Sequence, residues 1–163
     1  LMATTRKIFI VDGDTRFRGM LEDQLDKIED TVVFSFYSAE ECMQVLDSEP
    51  DVVIVDLHLE SRFRPVMDGL DLLKHIKTNY PLIDVVIMSS DDTLETAQAV
   101  SAHAPFDFIL KTESNLARIN SILHIIFRHK ALEDNVQMYK NSFYLVALFI
   151  GVCLLSAGCA VVF

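Results

Sequence analysis

The sequence predicts an α/β fold, a doubly wound five-stranded parallel sheet followed by an extended C-terminal helix. Two observations carry this prediction. Apolar runs of strand length alternate with segments of helical spacing five times along the chain. The runs DVVIVDL and DVVIMSS are apolar almost throughout, which is typical of strands buried on both faces of a parallel sheet.

The first half of the chain supplies three strands and two helices. Residues 8–11 and the β-branched and aromatic segment 31–36 are predicted strands. Between them, residues 15–28 place apolar side chains at helical intervals. Ser38, with Glu41 three residues later, predicts a capping box that opens a helix to about Ser48. The run DVVIVDL is the third strand.

The second half continues the same alternation. Leu70, Leu72, Leu73 and Ile76 predict the third helix, which Pro81 closes. The segment DVVIMSS is the fourth strand, residues 93–102 are helical, residues 106–110 form the fifth strand, and a last helix begins near Asn115.

Polar side chains stand where the predicted strands end. In parallel sheets, ligands bind beyond the carboxyl ends of the strands. Those ends carry the following residues: Asp12, Gly13, Asp14, Asp56, Ser89, Ser90 and Lys111. Carboxylates, a hydroxyl and an ammonium group at one edge suit phosphoryl chemistry, because carboxylates hold a divalent cation or act as nucleophiles while the other groups bind phosphate oxygens.

Composition excludes some other classes of function. The formal net charge is −10 and the sequence pI is about 4.8, which argues against a nucleic-acid-binding surface. The three cysteines are irregularly spaced and form no CxxC motif, so neither a disulfide framework nor a zinc site is indicated.

Five motifs at these strand ends and the third helix resemble the receiver domain of bacterial two-component response regulators. They are KIFIVD, PDVVIVDL, MDGLDLLKHI, VVIMSS and FDFILK, in this order, and the resemblance covers residues 6–127. It implies a flavodoxin-like receiver fold. It also implies a phosphoacceptor signalling domain that is not an enzyme beyond self-catalysed phosphotransfer and dephosphorylation.

The resemblance assigns roles to individual residues. Asp56 would accept a phosphoryl group from a sensor histidine kinase or phosphotransfer protein. Ser89 and Lys111 would bind the phosphoryl oxygens, and Phe108 would be the aromatic switch residue. The Mg²⁺ ligands would be Asp12, Asp56, the backbone carbonyl of His58 and, as a replacement ligand, Asp14.

The sequence departs from the family in its acidic pair. Gly13 stands where the second of two adjacent carboxylates is expected, so Asp14 either replaces the missing ligand or the cation binds more weakly. The loop after Asp56 is also long. Arg62 and Arg64 in it are either a lid over the site or part of a solvated loop.

Two alternative functions stay open at this point. One is a pseudo-receiver, a scaffold with the same fold that is not phosphorylated. The other is a phosphatase of the haloacid-dehalogenase type with Asp12 as nucleophile, since VDGDT loosely matches that family's DxD motif.

The C-terminal region predicts an anchor and a dimer. Residues 128–141 would be a helical linker with a heptad-like apolar seam, and residues 142–163 carry no charge and predict a transmembrane helix. The basic residues before that segment predict a bacterial inner-membrane location with a cytoplasmic receiver domain. A homodimer would form through this helix or through the face of the fourth helix, fifth strand and fifth helix.

Overall fold

The computed structural model describes residues 5–59 and 67–159. It contains one parallel sheet of five strands in the order β2-β1-β3-β4-β5. The strands are β1 Arg6–Val11, β2 Thr31–Phe36, β3 Val52–Asp56, β4 Asp84–Ser89 and β5 Asp107–Leu110. The helices are α1 Thr15–Leu25, α2 Ala39–Met43, α3 Gly69–Asn79, α4 Leu94–Ser101 and α5 Leu116–Cys159. The predicted flavodoxin-like fold with an extended C-terminal helix is confirmed.

The core lies on both faces of the sheet because strand side chains alternate between the two faces. One face buries Phe9, Val53, Val55 and Val85 against α2, α3 and α4. The alternate positions Ile8, Ile10 and Ile54 are also fully buried, as are Leu21 and Leu25 of α1 and Leu123 and Ile126 of α5. β3 is buried at every position, as its continuous apolar run predicts.

The second helix is shorter than its capping box predicts. Ser38 accepts a hydrogen bond from the N–H of Glu41 at 3.3 Å, but the returning bond runs from the N–H of Tyr37 to Oε2 of Glu41 at 2.9 Å. α2 ends at Met43, and a separate 3-10 turn covers Leu46–Ser48. Glu49 follows with φ of 52°, a left-handed conformation that closes the segment before Pro50.

The chain divides into two compact units after Ile126. In the first unit, α5 buries Ile119, Ile122, Leu123 and Ile126. In the second unit, the side chains of Arg128, His129 and residues 132–150 are exposed.

The predicted transmembrane helix over 142–163 is wrong, and so is the predicted inner-membrane location. Within the described ranges, no helix has both the length and the apolar character needed to cross a membrane. Charged residues continue along α5 as far as Lys140.

Candidate functional site

The order of the strands places the site. β1 and β3 are neighbours, and the strand order reverses between them, because β2 lies outside β1 on one side and β4 lies outside β3 on the other. Crevices at such reversals are where doubly wound sheets bind ligands. Val11 pairs with Val55, so Asp12 and Asp56, each one residue further, leave the sheet side by side at this crevice.

Asp12 is completely buried. Its Oδ1 accepts hydrogen bonds from the N–H of Asp14 at 2.7 Å and from Nζ of Lys111 at 2.9 Å. Its Oδ2 is buried without a hydrogen-bond partner. Burial raises the pKa of this carboxyl group above its ordinary value, although the hydrogen bond from Lys111 opposes the shift. Oδ2 of Asp12 can therefore still accept a hydrogen bond or bind a cation.

Lys111 joins the two aspartates. Its Nζ donates to Oδ2 of Asp56 at 2.6 Å as well as to Oδ1 of Asp12, and its side chain is 8% exposed. The ammonium also lies 5.2 Å from the ring centroid of Phe17, within reach of a cation–π contact. Burial acts to lower the pKa of Lys111, but the hydrogen bonds to Asp12 and Asp56 outweigh it and the pKa is raised. One positive charge thus stands between two carboxylates.

Asp56 faces a cavity of about 500 Å³ at the edge of the sheet. The cavity is lined by Gly13, Asp14, Tyr37, Asp56, His58, Ser90 and Lys111. Oδ1 of Asp56 accepts a hydrogen bond from the N–H of His58 at 3.2 Å. Asp56 therefore has access to the cavity, whereas the fully buried Asp12 is not among the lining residues.

Asp14 reaches the cavity but is also used to begin α1. As the N-cap residue of that helix, its Oδ1 accepts from the N–H groups of Arg16 at 2.9 Å and Phe17 at 3.2 Å. These bonds, that from Phe17 first, lower the pKa of its carboxyl group. The carboxylate that the sequence offers as a replacement metal ligand is therefore held at the helix terminus by the backbone.

Gly69 explains the MDG motif. α3 begins at Gly69, whose N–H donates to the carbonyl of Leu57 at 3.0 Å. A Cβ at this position would lie 2.2 Å from the carbonyl oxygen of Asp56 and 2.7 Å from Cα of Leu57. Only glycine allows the start of α3 to approach the backbone of the aspartate so closely.

Other predicted residues are less directly placed at the cavity. Ser89 ends β4 fully buried, and its Oγ accepts from the N–H of Asp91 at 3.0 Å. Its neighbour Ser90 is the serine that lines the cavity. Phe108 is partly buried against the core, and Arg62 and Arg64 lie outside the described residues.

Tyr37 is a cavity residue that the sequence reasoning missed. It follows the last residue of β2, and Cζ of Arg18 lies 5.9 Å from its ring centroid. Arg18 in turn donates a hydrogen bond to the backbone carbonyl of Asp12. The signal was available, because reading the end of the second strand as the other four were read would have found this side chain.

The comparisons with known proteins fit this geometry. The sequence model of the response regulator receiver domain matches residues 8–124. The chain belongs to the response regulator receiver family. This receiver is 34% identical over 105 residues to the DNA-binding transcriptional regulator NtrC of Proteus hauseri. The matched region covers 64% of this chain and 21% of that protein. It is 29% identical over 129 residues to the two-component response regulator EHD1 of Oryza sativa subsp. indica, or 79% of this chain and 36% of the relative.

Solved receiver structures share the fold. The signal receiver domain of an HD domain-containing protein from Pseudomonas fluorescens Pf-5 superposes with a TM-score of 0.66 at 22% identity, over 77% of this chain and 97% of that one. The isolated REC domain of RcsB from Salmonella enterica gives a TM-score of 0.64 at 21% identity, over 74% and 89% of the two chains. This receiver spans about a fifth of the length of the NtrC proteins that it matches.

Proposed function

We propose that Asp56 accepts a phosphoryl group from the phosphohistidine of a sensor histidine kinase or phosphotransfer protein. The observation that carries the proposal is that Asp56 both lines the cavity and contacts Lys111. Asp12 has the lysine but is buried, and Asp14 reaches the cavity but caps a helix. A carboxylate oxygen of Asp56 attacks phosphorus, the N–P bond breaks, and its electron pair stays on the imidazole of the donor.

Lys111 is placed to stabilise the product. The new acyl phosphate brings additional negative charge to a carboxylate that the ammonium already contacts at 2.6 Å. Because the side chain is nearly buried, water screens this interaction little. Lys111 would bind a phosphoryl oxygen while its bond to Asp12 keeps it in position.

The switch would involve Ser89 and Phe108. Oγ of Ser89 accepts a hydrogen bond from the N–H of Asp91, and its O–H remains able to donate. Because Ser89 is fully buried and does not line the cavity, its side chain would have to turn to bind a phosphoryl oxygen. Phe108, a partly buried residue of β5, would then change its packing. Ser90 lines the cavity already and offers a hydroxyl without that rearrangement.

The carboxylates suit Mg²⁺. This ion is commonly held by one or two carboxylates while keeping several waters, and Oδ2 of Asp12 is a buried oxygen without a partner. Asp12, Asp56 and the backbone carbonyl of His58 would hold the ion, with Asp14 as the additional ligand. When bound, Mg²⁺ would neutralise charge on the phosphoryl oxygens.

The pseudo-receiver is the second candidate function. One observation favours it: Oδ1 of Asp14, the carboxylate offered as the replacement ligand, already accepts from the N–H groups of Arg16 and Phe17, so a cation would be held by fewer charged ligands. The phosphatase alternative has less support, because its nucleophile, Asp12, is fully buried and already bonded to Lys111 and the Asp14 amide.

Output would be protein binding rather than DNA binding by this domain. The acidic composition disfavours contact with nucleic acid. Leu94 and Phe106, on α4 and just before β5, are 73% and 38% exposed. This α4-β5-α5 face and the extended C-terminal helix are the two surfaces through which a homodimer would form.

The experiment combines a phosphodonor with two aspartate variants. The purified full chain is incubated with Mg²⁺ and acetyl phosphate, and the adduct is measured by intact mass. A stoichiometric adduct that disappears in Asp56→Asn supports the proposal, and beryllofluoride should raise the melting temperature of the unmodified chain only. No adduct at any Mg²⁺ concentration would favour the scaffold, and repeated turnover that depends on Asp12 would favour the phosphatase.

A further inference from the structure

The second unit of the chain carries an apolar stripe that its own residues leave exposed. Along α5, His129, Leu132, Val136, Tyr139 and Phe143 follow one another at intervals of three and four residues. The four apolar members are 59%, 53%, 74% and 71% exposed in that order. A contiguous exposed apolar stripe is typical of an interaction surface, and this spacing is that of a coiled-coil seam.

The residue types in the seam favour a pair of helices. With His129, Val136 and Phe143 at heptad positions a, Leu132 and Tyr139 occupy positions d. A β-branched residue at a with leucine at d favours two parallel strands, and one polar residue at an a position specifies register at some cost in stability. Val136, Leu132 and His129 match these three features.

The charges beside the seam fit a second copy of the same chain. Arg128 occupies position g and Glu133 the following position e, and both side chains are exposed. In a parallel, in-register dimer a g residue faces the next e residue of the other helix. Arg128 would then meet Glu133 of the partner subunit. The two-fold symmetry of the dimer would give two such oppositely charged pairs.

The antiparallel arrangement has a charge pair of its own but a poorer seam. It would bring Glu133 near Lys140 of the partner subunit. It would also set the imidazole of His129 against apolar side chains instead of against its own counterpart. Such a mismatch between a polar residue and apolar ones disfavours that orientation. Within one helix, Oε1 of Glu133 lies 3.4 Å from Nδ1 of His129, and this contact is compatible with either orientation.

We propose that a second copy of this chain docks on the stripe of residues 129–143 to form a parallel, in-register two-stranded coiled coil flanked by two Arg128–Glu133 pairs. This arrangement specifies the seam, orientation and register of the homodimer that the extended C-terminal helix would form. It does not require that Asp56 be phosphorylated, because every residue of the seam lies in the second unit.

The seam itself is tested with two matched substitutions. Leu132→Glu places a charge in the seam, whereas Met138→Glu places it at position c of the same helix, where the side chain is 53% exposed. We expect the full chain to be dimeric in sedimentation equilibrium, Leu132→Glu to be monomeric at the same concentrations, and Met138→Glu to remain dimeric. A monomeric unmodified chain, or equal effects of the two variants, would overturn the proposal.

Orientation is tested by charge reversal. Arg128→Glu and Glu133→Arg alone should each weaken the dimer by about tenfold, since each converts two attractive pairs into two repulsive ones, and the double variant should recover the original dissociation constant. Lys140→Glu should have little effect. Failure of the double variant to recover, or loss of the dimer in Lys140→Glu, would overturn the parallel arrangement.

Folding and phosphorylation are controlled separately. Far-ultraviolet circular dichroism of each variant checks that helix content is retained, and the intact-mass assay with acetyl phosphate checks Asp56. Dimerisation is repeated in Asp56→Asn, where we expect an unchanged dissociation constant. A chain that takes no phosphoryl group but dimerises through the seam would contradict the proposed phosphoacceptor function and leave this inference standing.

Discussion

Nζ of Lys111 lies 2.6 Å from Oδ2 of Asp56, and the same ammonium contacts Oδ1 of Asp12 at 2.9 Å. Lys111 lies 55 positions from Asp56 and 99 positions from Asp12 in the chain. The three side chains are at most 8% exposed. A single cation therefore balances one of two neighbouring negative charges. This arrangement of two carboxylates around one ammonium would favour the binding of a second cation.

Removal of the lysine should destabilise the domain. In Lys111→Met two nearly buried carboxylates lose their only contacting ammonium within the described site, and breaking such a buried pair costs about 3–5 kcal/mol. We expect a fall of that order in the free energy of unfolding at pH 7, measured with urea. Lys74→Met, which removes an exposed pair with Asp71, is the control and should cost less than about 1 kcal/mol.

The same residue predicts an alkaline limit to stability. The pKa of Lys111 is raised in the folded state, so its contribution is fully present below the unfolded value of about 10.4 and is lost as pH rises through the folded value. Urea unfolding between pH 7 and 11 should show a steeper loss above about pH 10 for the unmodified chain than for Lys111→Met. Parallel curves would show that the lysine does not gain protonation energy on folding.

Substitution of Asp12 should raise the free energy of unfolding, whereas substitution of Lys111 should lower it. Burial raises the pKa of this carboxyl in the folded state, so its favourable contribution is present below about pH 3.9 and is lost as pH rises through the folded value. At pH 7 the ionised group therefore opposes folding. Asp12→Asn should therefore increase the free energy of unfolding measured with urea in metal-free buffer at pH 7, with the difference vanishing near pH 4.

A divalent cation should remove the higher stability expected of Asp12→Asn at pH 7. If Asp12 is a ligand, Mg²⁺ raises the melting temperature of the unmodified chain through preferential binding to the folded state and has a smaller effect on Asp12→Asn. Equal Mg²⁺ shifts in the two proteins would exclude Asp12 as a ligand, and lower stability of Asp12→Asn at pH 7 without metal would contradict the burial argument.

Two substitutions distinguish the two roles of Asp14, as the N-cap residue of α1 and as a proposed cation ligand. Asn is as good an N-cap as Asp, so Asp14→Asn keeps the bonds to the N–H groups of Arg16 and Phe17 while it removes the charge. Asp14→Ala removes both and should cost about 1 kcal/mol of unfolding free energy. Thermal unfolding at pH 7 measures this difference, and titration with Mg²⁺ shows whether either variant has lost cation affinity.

The pH dependence provides a further check on Asp14. Its pKa is lowered in the folded state, so the stabilisation is present above about pH 3.9 and is lost as pH falls through the folded value. The advantage of the unmodified chain over Asp14→Ala should therefore shrink below about pH 4. An advantage independent of pH would show that the charge contributes nothing to the cap.

Two glycines should respond oppositely to alanine. At Gly69 the new Cβ would meet backbone atoms of Asp56 and Leu57 at 2.2 and 2.7 Å, and overpacking of this kind costs about 1–3 kcal/mol. At Gly19, inside α1, a Cβ meets nothing within 4 Å, so Gly19→Ala should gain about 0.5–1 kcal/mol. Urea unfolding measures both, and slower labelling of Asp56 by acetyl phosphate is expected for Gly69→Ala alone.

Much of the fold follows from local patterns. The alternation of apolar runs and helical spacing determines five strands and five helices, and a parallel sheet brings the carboxyl ends of its strands to one edge. Asp12, Asp56 and Lys111 could therefore be assigned to one site from sequence. The prediction of a membrane span over residues 142–163 was wrong, because no helix within the described ranges is long and apolar enough to cross a membrane.

By itself, the sequence determined the strand ends at which Asp12, Asp56 and Lys111 lie, since strand ends follow from short-range periodicity that each segment carries alone. Tertiary structure decided what each residue does there. Asp12 is buried while Asp56 opens to the cavity, Asp14 is held by the first turn of α1, and Gly69 meets the carbonyl of Asp56. These relationships depend on contacts between segments far apart in the chain, and desolvation, hydrogen bonding and close approach arise only when those segments pack together.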